Sequence, residues 1–258
     1  MAPNTVYVIT GASRGIGLGL AQAYISRPST TVVGFVRNGA SAAALEDAMD
    51  KATKGENSIL HIVQVDFSVG TTPESIRDRF TAVTGNLGYV NTVICAAGHI
   101  TTVVPSIEVT AEHLRQCFEV NTIGPLMVLQ ALQALLEKGN KATGLPPKFV
   151  VLSSSVGSIG AMEPFPGGAY GPSKAAVNHI VKSVHIQMAQ SGLVSFALHP
   201  GWVQTEMGGF IAKAWSYPAG PPDTVEDSVK GIVRVVDEST RDNKSGRFVT
   251  QTGMELPW

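Results

Sequence analysis

TVYVITGASRGIG, residues 5–17, decides the fold. Its first six residues place Val6, Tyr7, Val8 and Ile9 in succession, apolar on both faces of a strand, as a strand covered from two sides requires. Gly11, Gly15 and Gly17 follow with the spacing G-x-x-x-G-x-G. Glycine serves where backbone turns tightly and approaches a pyrophosphate closely. A helical pattern opens at residue 15, and its free N–H groups and positive dipole end face that turn. Such a turn can also do no more than pack a helix on a strand. Its position directly after the first strand favours a dinucleotide. No G-K-[ST] follows, which disfavours a P-loop.

Outward from this stretch the same alternation recurs. Further apolar runs lie at 30–36, 59–65, 91–97, 148–153, 193–198 and 246–251, with helical patterns at 15–27, 41–53, 73–84, 110–138, 170–191 and 224–238. Alternating strands and helices predict a parallel sheet with helices on both faces. Right-handed crossovers make it a doubly wound, seven-stranded Rossmann fold, a single domain over residues 1–258. GNKATGLPPK (139–148) reads as a Gly/Pro-rich connector. Residues 208–223 read as a long loop carrying Phe210, Trp215 and Tyr217, and the span 205–223 as a substrate lid. Thr224 is the expected N-cap of the last helix.

A chain of 258 residues, 44% hydrophobic and 15% charged with net charge −1, can bury a large core. The charge excludes an electrostatic nucleic-acid binder, and no apolar run of membrane-spanning length occurs. The opening MAPNTVYVIT lacks the basic start and apolar length of a signal peptide, so a cytoplasmic protein is expected. Cys95 and Cys117 read as buried thiols, and no metal-ligand spacing appears among His, Asp and Glu. His99 and His199 read as structural or loop residues.

The end of the second strand discriminates between cofactors. A carboxylate there binds the ribose hydroxyls of NAD. GFVRNGAS offers Arg37 instead, and Arg14 in the glycine turn is a second cation. Two guanidiniums suit a 2′-phosphate, so NADPH/NADP+ is expected. Asp66 ends the third strand. It can accept from the adenine amine, with backbone groups of Phe67 beside it, or cap the local turn.

YGPSK (170–174) opens a helix with Pro172 in its first turn, where the missing N–H has no partner to lose. Tyr170 and Lys174 then share one face. Tyrosine ordinarily titrates near ~10, and a nearby ammonium is expected to lower that value.

Taken in order, TGASRGIG (10–17), CAAG (95–98), Asn121 in EVNTIGP, the serines at 153–155, YGPSK and HPGWVQTEM (199–207) resemble the short-chain dehydrogenases/reductases across nearly the whole chain. VRN after the second strand, VQTEMG and SGRFV…LPW look like the fungal ketoreductases of the norsolorinic acid type. The resemblance implies reduction of a small-molecule carbonyl by NADPH. Tyr170 acts as general acid and Ser154 hydrogen-bonds the carbonyl oxygen. Lys174 holds the nicotinamide ribose, Asn121 holds a relay water, and Thr205 binds the carboxamide. Ser13, Ile16, Ala97, Gly98, Pro200, Gly201 and Val203 complete the cofactor contacts so implied. Two departures stand out. CAAG lacks the asparagine that usually braces the fourth strand. The serines also precede Tyr170 by more residues than usual, so alignment on the strand selects Ser154 and alignment on SSVGS selects Ser155.

Met162, Phe165 and Pro166 in the resulting insertion face the lid aromatics as a second substrate wall, which suits an aromatic polyketide ketone. The alternatives are a non-catalytic NADPH-binding protein and a non-redox biosynthetic enzyme on the same fold. By resemblance, subunits pair as a homodimer or homotetramer through 110–138 and 170–191.

Overall fold

A computed structural model describes residues 3–85 and 87–258; Met1 and Ala2 of the N-terminal reading lie outside them. The described strands are β1 (Thr5–Thr10), β2 (Thr30–Val36), β3 (Ile59–Gln64), β4 (Thr92–Cys95), β5 (Lys148–Leu152), β6 (Val194–His199), β7 (Phe248–Thr250) and β8 (Glu255–Leu256). They form one sheet in the order β3-β2-β1-β4-β5-β6-β7-β8. All pairs from β3 to β7 are parallel, and β8 runs antiparallel to β7. The seven strands read from sequence are thus present, and an eighth edge strand of two residues adds to them. β8 is too short to show a hydrophobic period.

The helices are α1 (Gly15–Ile25), α2 (Gly39–Asp50), α3 (Pro73–Thr84), α4 (Ala111–Phe118), α5 (Gly124–Thr143), α6 (Tyr170–Gln187), α7 (Glu206–Ala214) and α8 (Val225–Glu238). Successive strand residues point to opposite faces. Val6 and Val8 join one core with Phe80 of α3, Leu132 of α5 and Val181 of α6, while Tyr7 and Ile9 join the other with Leu20 of α1, Leu45 of α2 and Ile232 of α8. Both faces are therefore covered. Strand order reverses between β1 and β4, which opens a crevice at the carboxyl ends of these strands.

Three sequence expectations are corrected. The helical pattern 110–138 is two α-helices joined by a π turn, Glu119–Ile123. α5 then continues to Thr143 through the first half of the expected connector. Gly139 lies inside it because a Cβ there would sit 2.1 Å from the Val90 carbonyl oxygen, and the helix ends only at Gly144 (φ +75°). The loop expected at 208–223 begins as α7, started by the Thr205 side chain, which accepts from Gly208 N. Thr224 caps α8 as expected, accepting from Asp227 N at 3.0 Å.

β4 is tied at both ends without the asparagine missing from CAAG. At its start, Asn91 Oδ1 accepts from Val6 N (2.9 Å) while Nδ2 donates to Thr143 Oγ1 (2.6 Å) and Gly139 O (3.3 Å). Just beyond its end, Ala97 N donates to Thr10 Oγ1 (2.9 Å).

Candidate active site

The turns at the carboxyl ends of β1, β2, β3, β4 and β6 carry the residues singled out for the cofactor, except Asn121 in the π turn and Tyr170 and Lys174 in α6. Gly11 (φ +69°) follows β1, and a Cβ on it would meet Ala97 Cα at 2.8 Å. Gly15 also has positive φ (+55°), and its Cβ would lie 3.3 Å from Thr205 Cγ2, so the glycine turn and the turn after β6 touch. Gly17 allows α1 to lie against the Gly11 carbonyl, where a Cβ would approach to 2.2 Å. Arg14 is the N-cap of α1 but supplies no side-chain hydrogen bond to it, and no acidic residue stands in its first turn. The N-termini of α2, α3, α4, α7 and α8 are all capped by side chains. α1 thus leaves its first N–H groups, including those by Ser13, Ile16 and Gly17, available to a phosphate. That chemistry fits a dinucleotide.

Arg37 stands exposed after β2. Arg14, expected beside it at a phosphate, is instead ion-paired with Glu206 of α7. Asp66 Oδ1 accepts from Ser68 N (2.9 Å) and Ser68 Oγ (2.6 Å), the turn-capping arrangement among the two that sequence allows. Phe67 is buried with its ring against Gly124. Gly98 is open: a Cβ there would come only to 3.7 Å from Asn121 Oδ1 and 4.0 Å from Lys174 Nζ. Asp223 fixes the turn 200–205. Its Oδ2 accepts from Trp202 N (2.9 Å), and a Cβ on Gly201 (φ +89°) would collide with it. Val203 bridges to Asp223, and Ser228 Oγ donates to Pro200 O at 2.6 Å.

The polar centre sits where β5 and α6 meet. Tyr170 begins α6, and Lys174 Nζ lies 5.5 Å from its ring centroid. Pro172 falls in the first turn, as the sequence requires. Lys174 is buried and donates to Leu152 O at 2.8 Å. Burial brings its ammonium down to about 8, with the Cys95 and Cys117 thiols acting the other way. Burial also raises the Tyr170 phenol above its usual value, and a contact with the Ser154 hydroxyl opposes that rise. This corrects the expectation of a phenol acidified by the lysine. Desolvation penalises phenolate and ammonium alike. The hydroxyl beside the phenol is Ser154, while Ser153 is buried against Asn178 (2.6 Å) and Ser155 N donates to His199 Nδ1 (3.2 Å).

Asn121 lies in the π turn, fully buried. Its Oδ1 accepts from His99 N (2.7 Å), and Nδ2 donates to His99 O (2.8 Å) and Ser173 Oγ (2.9 Å). Ser173 Oγ in turn donates to Tyr170 O at 2.7 Å. The side chain therefore clamps the turn after β4 onto α6. Burial, and then the charge of Arg37, lower the His99 pKa. His199 is lowered to about 4 by burial.

Sequence reasoning passed over Asn178 and Asp223, whereas His199 has the structural part read for it, accepting from Ser155 N. Asn178 was legible, because positions 170, 174 and 178 place three polar residues on one stripe of a helix. Asp223 gave no periodic signal.

The two walls meet. The Phe165 and Trp215 rings stack at 4.9 Å, Trp215 Nε1 donates to Pro166 O (3.1 Å), and Trp202 contacts both Trp215 (5.7 Å) and Tyr217 (5.0 Å). Met162 and Phe210 remain exposed. Among the described residues, no cluster of three or more His, Cys, Asp or Glu could hold a metal, and no helix is long and apolar enough to cross a membrane.

A dinucleotide crevice joined to a Ser–Tyr–Lys centre defines an oxidoreductase of the doubly wound class, and the sequence matches the short chain dehydrogenase family over residues 5–214; the chain belongs to that family. It is 35% identical to a norsolorinic acid ketoreductase of Aspergillus parasiticus, over 99% of this chain and 92% of that one. It is 34% identical to a short-chain dehydrogenase of Pyricularia oryzae, over 100% of both. Among solved structures, an NADPH-bound carbonyl reductase from chicken fatty liver superposes with a TM-score of 0.82 at 28% identity, covering 100% of both chains.

Proposed function

We propose that this protein is an NADPH-dependent ketoreductase, with Tyr170 as general acid. The observation that carries the reading is the Ser154–Tyr170–Lys174 centre at the mouth of the crevice. NADPH supplies the hydride that the carbonyl carbon receives. Tyr170, kept protonated by burial at neutral pH, gives its proton to the carbonyl oxygen. Ser154 donates to the same oxygen and steadies the charge that develops on it. Lys174, brought down to about 8 by burial, replaces the proton that Tyr170 loses. The Asn121 side chain is fully engaged in protein contacts, so its contribution is to hold the π turn against α6, leaving the turn's backbone for a relay water. Arg37 takes the 2′-phosphate, the α1 N-terminus the pyrophosphate, and Thr205 the carboxamide.

Residues 205–223 act as the substrate lid, and the stack of Trp215 on Phe165 supports a flat aromatic ketone as substrate. The relative named for norsolorinic acid supports the same class. The reading includes a cytoplasmic setting, and subunits paired through α4–α5 and α6, where Ile123 and Ile186 are exposed. Incubating the protein with NADPH and a series of aryl ketones tests it. Loss of reduced-cofactor absorbance that disappears in Tyr170→Phe is expected. Cofactor binding without consumption across the series would overturn it.

A further inference from the structure

The two arginines near the expected phosphate differ in one respect. Among the described residues Arg37 takes part in no ion pair, whereas Arg14 pairs with Glu206 across the crevice. The backbone at Arg14 is extended (φ −158°, ψ 166°), and its side chain reaches away from α1 to the first residue of α7. The contact between Gly15 and Thr205 brings the two turns together at this point. Glu206 lies in the first turn of α7, where a helix dipole favours a carboxylate, so this anion is held in place.

We propose that Glu206 limits the preference for NADPH over NADH by occupying Arg14. The proposal rests on the NADPH reading above. A 2′-phosphate takes Arg14 only by displacing the Glu206 carboxylate. NADH carries no 2′-phosphate and makes no such demand. Both side chains are more than two-thirds exposed, at 73% and 79%, so water and salt screen the pair. An exposed pair of this kind shifts an equilibrium by about fivefold at most. Glu206 is therefore a moderating residue. It keeps the phosphate pocket from being doubly cationic and limits how tightly product NADP+ is held.

The test is a fluorescence titration of NADPH and NADH on the full chain carrying Glu206→Gln, which removes the charge and keeps the shape. NADPH is expected to bind about three- to fivefold tighter, with NADH unchanged. In an Arg14→Gln background the same substitution should do nothing, because the competing cation is gone. Equal changes for the two cofactors would mean that the pair is only a strap across the crevice, and would overturn the proposal. So would an effect that persists without Arg14, or no effect in either background. Wild-type protein that binds NADPH no better than NADH would defeat the cofactor reading itself, a distinct result seen before any variant is made.

Discussion

Acidification from pH 7 to pH 4 should destabilise the protein through His199, and the size of the loss follows from the structure. The imidazole Nδ1 accepts from Ser155 N, and burial lowers the ring's pKa from 6.5 to about 4. Between those values the unfolded chain binds a proton that the folded chain refuses. Stability from this group is complete above pH 6.5 and is lost as pH falls toward 4. The fall from 6.5 to about 4, at about 1.4 kcal/mol per pH unit, sets an upper limit of about 3.5 kcal/mol. The ring is only partly buried, so about 2 kcal/mol is the realistic loss. That is a sizeable share of the ~5–15 kcal/mol by which a folded domain persists. Urea unfolding at pH 7.5, 6, 5 and 4.5 measures it for the wild type and for His199→Asn, whose amide oxygen can still accept from Ser155 N but does not titrate. The other histidines contribute equally to both proteins. The wild type should therefore lose about 2 kcal/mol more than the variant across this range. Parallel stability curves would show that burial of His199 is not what opposes its protonation.

Other expectations follow from the same groups. Because Lys174 is lowered to about 8, ketone reduction should decline as pH rises through 8, and Lys174→Arg should move that inflection out of the range of a kcat profile. The Tyr24 hydroxyl is buried without a hydrogen-bond partner among the described residues, so Tyr24→Phe should leave the melting temperature unchanged or raise it, by up to about 1 kcal/mol of stability. Asn91→Leu strands the buried Val6 N–H, while the Thr143 hydroxyl keeps its bonds to Gly139 O and Leu145 N, and should lower stability by roughly 1–3 kcal/mol in chemical denaturation, with cofactor affinity retained in the folded fraction.

The central strands were legible because burial from both sides leaves a run with no polar face, as in Thr30–Val36, which is buried throughout. The placing of Tyr170 and Lys174 at a helix start was legible for a different reason: proline two residues after Tyr170 is tolerated only at a helix start, so it fixes where the helix begins. Glycine misled in two places. At Gly139 and Gly208 it permits close backbone packing inside a helix, against Val90 O and Val203 O, but in sequence it looks like a turn. The fate of Arg14 was illegible because its partner stands 192 residues away. The pKa order was illegible because residue spacing reports proximity and says nothing of how much water burial removes.

The π turn at Glu119–Ile123 has an evolutionary and engineering consequence. Such a turn holds one residue more than a regular helix accommodates. Deleting Ile123, which is 38% exposed, would let α4 and α5 fuse into one continuous rod. Each residue of an α-helix turns the chain by about 100°, so the same deletion would swing the Asn121 amide away from His99 and Ser173. Smoothing this blemish would yield a tidier scaffold with a misaimed centre, and screens that reward heat resistance alone would select for it.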